Sequence, residues 1–303
     1  MDSKEAVDLA TGNNPVTTDG SLDVKTIQLV NRLYERNRES HDFYRKAVSN
    51  ENLLSSVSIP KNTLILFVPG FMYKADQTTG ADFQKQRDLL SNAKIPFRLI
   101  EIKENGLVDE NAKSIADHIN FEAKSGKELI LVSASKGGLE TSVALGKYIS
   151  SDSAKKIKAW ISIGGIHRGT YLADHAMTFP RSILARLVGW IEGFEFDQVA
   201  DMTVRKNKPM FESLVLPENI YYLQFIGVPL SGQVSDEIDS RYYELAQYGP
   251  NDGLTTIEHQ IISNASVVVE LGLDHYYRDK EIDKKTLSLL ALALKEISDR
   301  QGP

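Results

Sequence analysis

The chain has 303 residues, of which 42% are hydrophobic and 25% charged, with a net charge of −6. That balance excludes a disordered or collagen-like chain and leaves one large or two small domains, with a core that needs no covalent staple. The absence of cysteine excludes disulfides, thiol catalysis and thiolate metal centres, and the acidic balance offers nucleic acid or anionic lipid no bulk attraction.

Residues 1–20 are polar and read as an N-terminal tail carrying neither a basic n-region nor an apolar h-region. A cytoplasmic location is expected for the chain as given, and an exported one if a signal was trimmed. No apolar run is long enough to span a membrane. Residues 22–48 place Ile27, Val30, Leu33 and Tyr34 at helical spacing, predicting a peripheral helix. The expected division is therefore 1–60 as tail and helix, and 61–303 as the main domain.

From residue 63, short apolar runs alternate with amphipathic stretches. The runs are 63–69, 97–102, 128–134, 157–165, 219–227 and 265–271; helix-like segments lie near 80–94, 108–125, 137–150, 182–194 and 280–299. Runs apolar at nearly every position predict strands buried on both faces, and their alternation with helices predicts right-handed crossovers. The expected fold is α/β, doubly wound, with a mainly parallel sheet. The span 166–216 exceeds a single crossover and is expected to form a helical cap insertion.

The third run ends in Ser133-Ala134-Ser135-Lys136-Gly137-Gly138 and passes straight into a helix pattern. A serine at the apex of a strand-turn-helix is a nucleophile elbow, usually G-x-S-x-G; Ser133 stands for the first glycine and Gly137 keeps the second. The bland alternative is an ordinary small-residue loop. The same stretch partly matches a phosphate loop, but Glu140 occupies the place of a required glycine and Thr141 that of the phosphate-binding lysine. Nucleotide binding is discounted.

A serine hydroxyl needs a base, and the base an orienting acid, in elbow folds in the order Ser, Asp or Glu, His. After the fifth run comes Pro250-Asn251-Asp252-Gly253; after the sixth, Leu273-Asp274-His275. Asp252 competes with its own turn-forming sequence and with Asp236, Glu237 and Asp239. His275 competes with five other histidines, none of which follows the last strand. The oxyanion needs two backbone donors, expected from Lys136 and, in the loop after the first run, from Phe71.

Together these residues resemble the α/β-hydrolase superfamily, in particular its bacterial lipases and esterases, over about residues 60–300. The resemblance rests on Pro69-Gly70-Phe71 in place of a His-Gly-x oxyanion motif, on the elbow, on His167-Arg168-Gly169-Thr170, on Asp252-Gly253 and on His275. It implies an esterase working through an acyl-enzyme, with Ser135, Asp252 and His275 catalytic. The substrate class is a small-molecule or lipid ester. Thioesters or amides, or a non-catalytic binding protein on the same fold, are the alternatives. No cofactor or metal is expected, since the acids at 236–239 lack a calcium-loop pattern; the oligomeric state is left open. Residues 179–191 carry an apolar helix face at 183, 184, 187, 188 and 191, readable as a lid over an acyl cleft or as a helix packed on the sheet. Lys136 is expected either to attract an anionic substrate or to point to solvent.

Overall fold

A computed structural model of the chain describes residues 18–50, 59–75, 79–178 and 196–301. The segment 179–195, which carries the lid-like helix pattern, lies outside the described residues.

Six strands form one sheet: β1 (Thr63–Val68), β2 (Phe97–Leu99), β3 (Glu128–Ala134), β4 (Ile157–Ile163), β5 (Tyr221–Val228) and β6 (Ser266–Leu271). All pairings are parallel, in the order β2-β1-β3-β4-β5-β6. The doubly wound parallel α/β class expected from the apolar runs is the class observed. Chain direction across the sheet reverses between β1 and β3, and such a switch point opens a crevice at the carboxyl ends of its strands. There Val68 pairs with Ser133 and Ala134 with Ile163, so the loops after β1, β3 and β4 leave the sheet at one level.

Helices cover both faces: α1 (Thr18–Arg36), α2 (Arg38–Val48), α3 (Gln84–Asn92), α4 (Val108–Lys124), α5 (Lys136–Val143), α6 (Tyr171–Ala176), α7 (Phe196–Ala200), α8 (Val204–Ser213), α9 (Asp239–Leu245), α10 (Ile257–Gln260) and α11 (Ile282–Gln301). Side-chain alternation along the strands sorts them. Leu64, Leu66, Leu129, Leu131 and Trp160 pack on one face with Ile115 and Ile119 of α4 and Leu139 of α5. Ile65, Phe67, Ile130, Val132 and Ile161 pack on the other with Leu90 of α3 and Leu289 and Leu292 of α11. Each such side chain, fully buried, contributes about 1.5–3 kcal/mol. None of the described helices is long and apolar enough to cross a membrane.

Three departures from the sequence reading have physical causes. The run 97–102 yields a strand only over Phe97–Leu99. It is an edge strand pairing with β1 alone, and beyond β1 the chain turns at Pro69, which has no N–H to give. The stretch 137–150 is α-helical only to Val143 and closes with a π-turn over Ala144–Tyr148. The N-terminal stretch forms two helices that meet at Asn37.

That break serves the sheet edge. Asn37 Oδ1 accepts from the Val267 N–H at 2.9 Å and His41 Nε2 from the Val269 N–H at 3.0 Å. Two outward N–H groups of β6 are thereby satisfied on a strand that would otherwise invite pairing with another chain. His41 can accept only when neutral, and burial, assisted by Arg45, lowers its pKa to about 4. Burial likewise lowers His167 to about 3, with Arg168 adding to it, and His259 to about 4.

These three histidines make stability depend on acid. Above the unfolded value of 6.5 they are neutral in both states and their contribution is complete. As the pH falls from 6.5 towards 4, the unfolded chain binds protons that the fold refuses, so stability falls. At ~1.4 kcal/mol per unit, each represents a loss of a few kcal/mol by pH 4. Urea midpoints measured at falling pH are expected to drop across this window; a midpoint unchanged between pH 6.5 and 4.5 would contradict the assignment.

Candidate active site

The elbow forms because the chain leaves β3 and enters α5 with one residue between them. That residue, Ser135, adopts φ 50° and ψ −122°, a conformation that costs a non-glycine residue roughly 1–3 kcal/mol. It is held from both sides: the Ser135 N–H donates to the Ile163 carbonyl at 3.0 Å, and its own carbonyl accepts from Gly138 at 2.9 Å and Ile166 at 3.2 Å. The glycines that follow are dictated by contact. A Cβ on Gly137 would lie 2.3 Å from the Pro69 carbonyl oxygen, and one on Gly138 would lie 2.8 Å from Gly165 Cα. Ser133 departs from the usual glycine for a legible reason. Its hydroxyl accepts from Trp160 Nε1 at 2.8 Å, satisfying an indole N–H that is 1% exposed.

Ser135 Oγ lies 2.9 Å from His275 Nε2, and His275 Nδ1 lies 2.6 Å from Asp252 Oδ2. The His275 N–H also donates to the Asp252 carbonyl at 2.9 Å. Asp252 Oδ1 accepts from the N–H groups of Leu254 at 2.9 Å and Thr255 at 2.8 Å, and Oδ2 accepts from Gln260 Nε2 at 2.8 Å. The carboxylate is fully buried, and these charge-assisted bonds keep it there. Pro250-Asn251-Asp252-Gly253 is at the same time a turn. Asn251 Oδ1 closes it on the Gly253 N–H at 3.0 Å, which frees Asp252 to face the imidazole.

The other candidates lie elsewhere. Glu237 pairs with Arg278 at 2.6 Å on the surface, and Asp239 opens α9. His118 is exposed and touches the Ser114 carbonyl. His167 is buried between Ser142 and Ser162 at 2.9 and 3.0 Å. His175 pairs with Glu244 at 2.6 Å and Tyr248 at 2.7 Å. His259 sits on α10 with its ring 5.0 Å from that of Tyr171. Among the described residues no group of three or more acids and histidines is placed to hold a metal ion.

The His-Arg-Gly-Thr segment braces the acid loop. Arg168 donates to the Ile261 carbonyl at 2.6 Å, Thr170 Oγ1 to that of Leu254 at 2.6 Å, and Thr255 Oγ1 to that of Gly169 at 3.0 Å. Sequence reasoning missed Gln260, which offers no motif, and Tyr277. The Tyr277 hydroxyl accepts from the Gly227 N–H at 2.8 Å and donates to the Phe225 carbonyl at 3.0 Å, pinning the His275 loop to β5.

The loop after β1 abuts the serine. A Cβ on Gly70 would lie 3.5 Å from Ser135 Cβ, and Phe71 and Lys136 line the same cavity as Ser135 and His275. Among the described residues, neither the Phe71 nor the Lys136 N–H is engaged by another group. The Lys136 side chain corrects the expectation that it points to solvent, and its charge is matched by Glu140. It is 1% exposed and pairs with Glu140 at 2.7 Å. The short crossover from β3 drives the first turn of α5 into the core and the lysine with it. Burial pushes the Glu140 carboxyl above its usual range against the opposing pull of Lys136.

The cavity has a volume of about 940 Å³, with Met72, Ile166, Leu172, Met202, Phe225 and Leu254 on its walls.

No family model matches the chain, and no curated protein matches it. Solved structures do. A metagenomic carboxyl esterase, MGS0156, superposes with a TM-score of 0.62 at 18% identity, over 81% of this chain and 80% of that one. The mature form of the Bacillus licheniformis lipase BlEst2 superposes with a TM-score of 0.61 at 20% identity, over 80% of this chain and 95% of that one. The chain has an α/β-hydrolase fold. In this α/β-hydrolase fold, Ser135 follows the strand beside the switch point, and Asp252 and His275 arrive from loops after β5 and β6.

His275 has a shifted titration. Burial pulls its pKa down, but the Asp252 charge, the Asp252 hydrogen bond and the Asp274 charge outweigh that, and the net shift is upward. With His275 in the role of general base, which works when neutral, the acid limb of kcat/KM is expected above the ordinary histidine value of about 6.5. In Asp252→Asn the limb is expected to move to lower pH, because the largest raising influence is gone. A pH profile of kcat/KM for both proteins checks this; a limb below pH 6 in the unsubstituted protein would contradict it.

Proposed function

We propose that the protein is a serine hydrolase of carboxylic esters, working through an acyl-enzyme with Ser135 as nucleophile, His275 as general base and acid, and Asp252 as the orienting acid. The observation that carries this reading is the continuous relay from Ser135 Oγ through both ring nitrogens of His275 to the buried Asp252 carboxylate. Neutral His275 carries its proton on Nδ1, donated to Asp252, which leaves Nε2 to take the serine proton. Ser135 Oγ attacks the ester carbonyl as that proton moves. The tetrahedral oxyanion is held by the N–H groups of Phe71 and Lys136, at the amino end of α5 where the helix dipole favours negative charge. His275 then protonates the leaving alcohol; water, deprotonated by His275, attacks the acyl carbon, and His275 returns that proton to Ser135 Oγ as the acid is released.

The apolar walls of the cavity suit the acyl part, and 940 Å³ lies at the upper end of the ~300–1,000 Å³ usual for small-molecule sites. Likeness to an esterase and a lipase at 18–20% identity supports the fold and not the reaction, so the substrate is decided by assay. Matched ester, thioester and amide substrates of rising acyl length separate the readings. The ester is expected to turn over fastest, with a rise in kcat/KM as apolar chain is added. Faster turnover of the thioester or amide would replace the ester assignment. No turnover of any of the three by folded protein would favour a binding protein.

A further inference from the structure

Lys136 is the residue after the nucleophile, and its buried ammonium is unused by the relay. Nζ donates to Glu140 Oε1 at 2.7 Å and to the Gly106 carbonyl, and lies 5.6 Å from the centroid of the Phe71 ring. Glu140 Oε1 also accepts from Asn111 Nδ2 at 2.8 Å, and the same amide donates to the Lys103 carbonyl at 2.9 Å. A Cβ on Gly106 would lie 2.5 Å from Asn111 Oδ1. The segment 103–106 is thus gripped at both ends by side chains of α4 and α5.

That segment is the shelf under the loop that carries Phe71. Glu104 accepts from the backbone N–H groups of Lys74, at 3.0 Å, and Ala75. Just before it, the Ile102 carbonyl accepts from the Tyr73 hydroxyl at 3.0 Å. The physical path runs from Lys136 and Glu140 to the shelf, from the shelf to residues 73–75, and so to Phe71.

We propose that the Lys136 side chain, with Glu140 and Asn111, is a positioning device that locks the Phe71 loop against Ser135 and so sets the distance between the two oxyanion donors. The inference rests on the esterase reading above. One donor belongs to the elbow and the other to a separate loop, and a buried ion pair on the elbow helix ties the two together. A donor misplaced by 1 Å loses an interaction made in the transition state and not in the bound substrate, so the device acts on kcat and spares KM.

Lys136→Met alone would strand a buried carboxylate, so the test uses Lys136→Met with Glu140→Gln, which removes both charges at similar volume. With folding verified by circular dichroism, kcat is expected to fall about tenfold to a hundredfold while KM stays within about threefold, and fluorophosphonate labelling should slow in proportion. The surface variant Glu104→Ala, which releases the loop without touching the core, is expected to lower kcat in the same sense, and Glu104→Gln to restore it through its remaining carbonyl oxygen. A folded double variant with unchanged kcat, or a loss carried wholly by KM, overturns the proposal. If the double variant does not fold, an Glu104→Ala protein with unchanged kcat overturns it equally. Failure of the unsubstituted protein to turn over esters would strike the esterase reading instead and take this inference with it.

Discussion

Replacing Asp252 with asparagine is expected to lower kcat by about 10⁴ while leaving the fold intact. The geometry says why. Asp252 Oδ1 accepts from two backbone N–H groups, Leu254 and Thr255, so an asparagine will place its carbonyl oxygen there. Its amide nitrogen then takes the Oδ2 position, 2.6 Å from His275 Nδ1, and donates to it. The ring is forced into the tautomer that carries its proton on Nε2, where it points at Ser135 Oγ and cannot act as base. Gln260 Nε2 faces that same position at 2.8 Å and must turn its amide away, at a small cost in stability. Measured kcat for Asp252→Asn, beside a thermal melt, checks both parts. Turnover within a few-fold of the unsubstituted protein would remove Asp252 from the role and return attention to the acids at 236–239.

The larger loss is expected from Ser135→Ala, on the order of 10⁶ in kcat, because no covalent intermediate can then form. The residue left behind by the oxyanion donors should still exceed the uncatalysed rate. Ser135→Ala also retains the unfavourable φ of 50°, since alanine has no better access to it than serine. Stability should therefore change by well under 1 kcal/mol, apart from the single hydrogen bond to His275. Loss of turnover without loss of melting temperature separates chemistry from folding. Substantial turnover in Ser135→Ala would exclude the serine as nucleophile.

The features of the fold and site that sequence makes legible are those written in local pattern. Apolar runs bounded by polar stretches define β1, β3 and β4 almost to the residue, because a strand buried on both faces admits few polar residues, and those only where a partner such as Trp160 meets Ser133. The elbow is legible because a strand-to-helix turn with so little space demands small residues at fixed places. The order of Ser135, Asp252 and His275 is legible because each follows an apolar run.

What stays hidden depends on partners far apart in the chain. Ser133 reads as a departure from the elbow pattern until β4 brings Trp160 alongside it. Lys136 and Glu140 have the i, i+4 spacing of an ordinary surface pair; only the docking of α5 under the β1 loop buries them. Gln260 carries no motif, and its value lies in the turn that aims it at Asp252. The break at Asn37 is invisible as a helix signal because its cause is the unpaired edge of β6, some 230 residues away.

Activation of Ser135 by the groups around it is read out by a fluorophosphonate probe. Such a probe reacts with an activated serine and leaves ordinary hydroxyls alone. One adduct is expected, mapped by peptide mass spectrometry to Ser135, that forms rapidly in the unsubstituted protein and is lost in His275→Ala. An adduct on another serine, or folded protein that remains unlabelled with and without detergent, would contradict it.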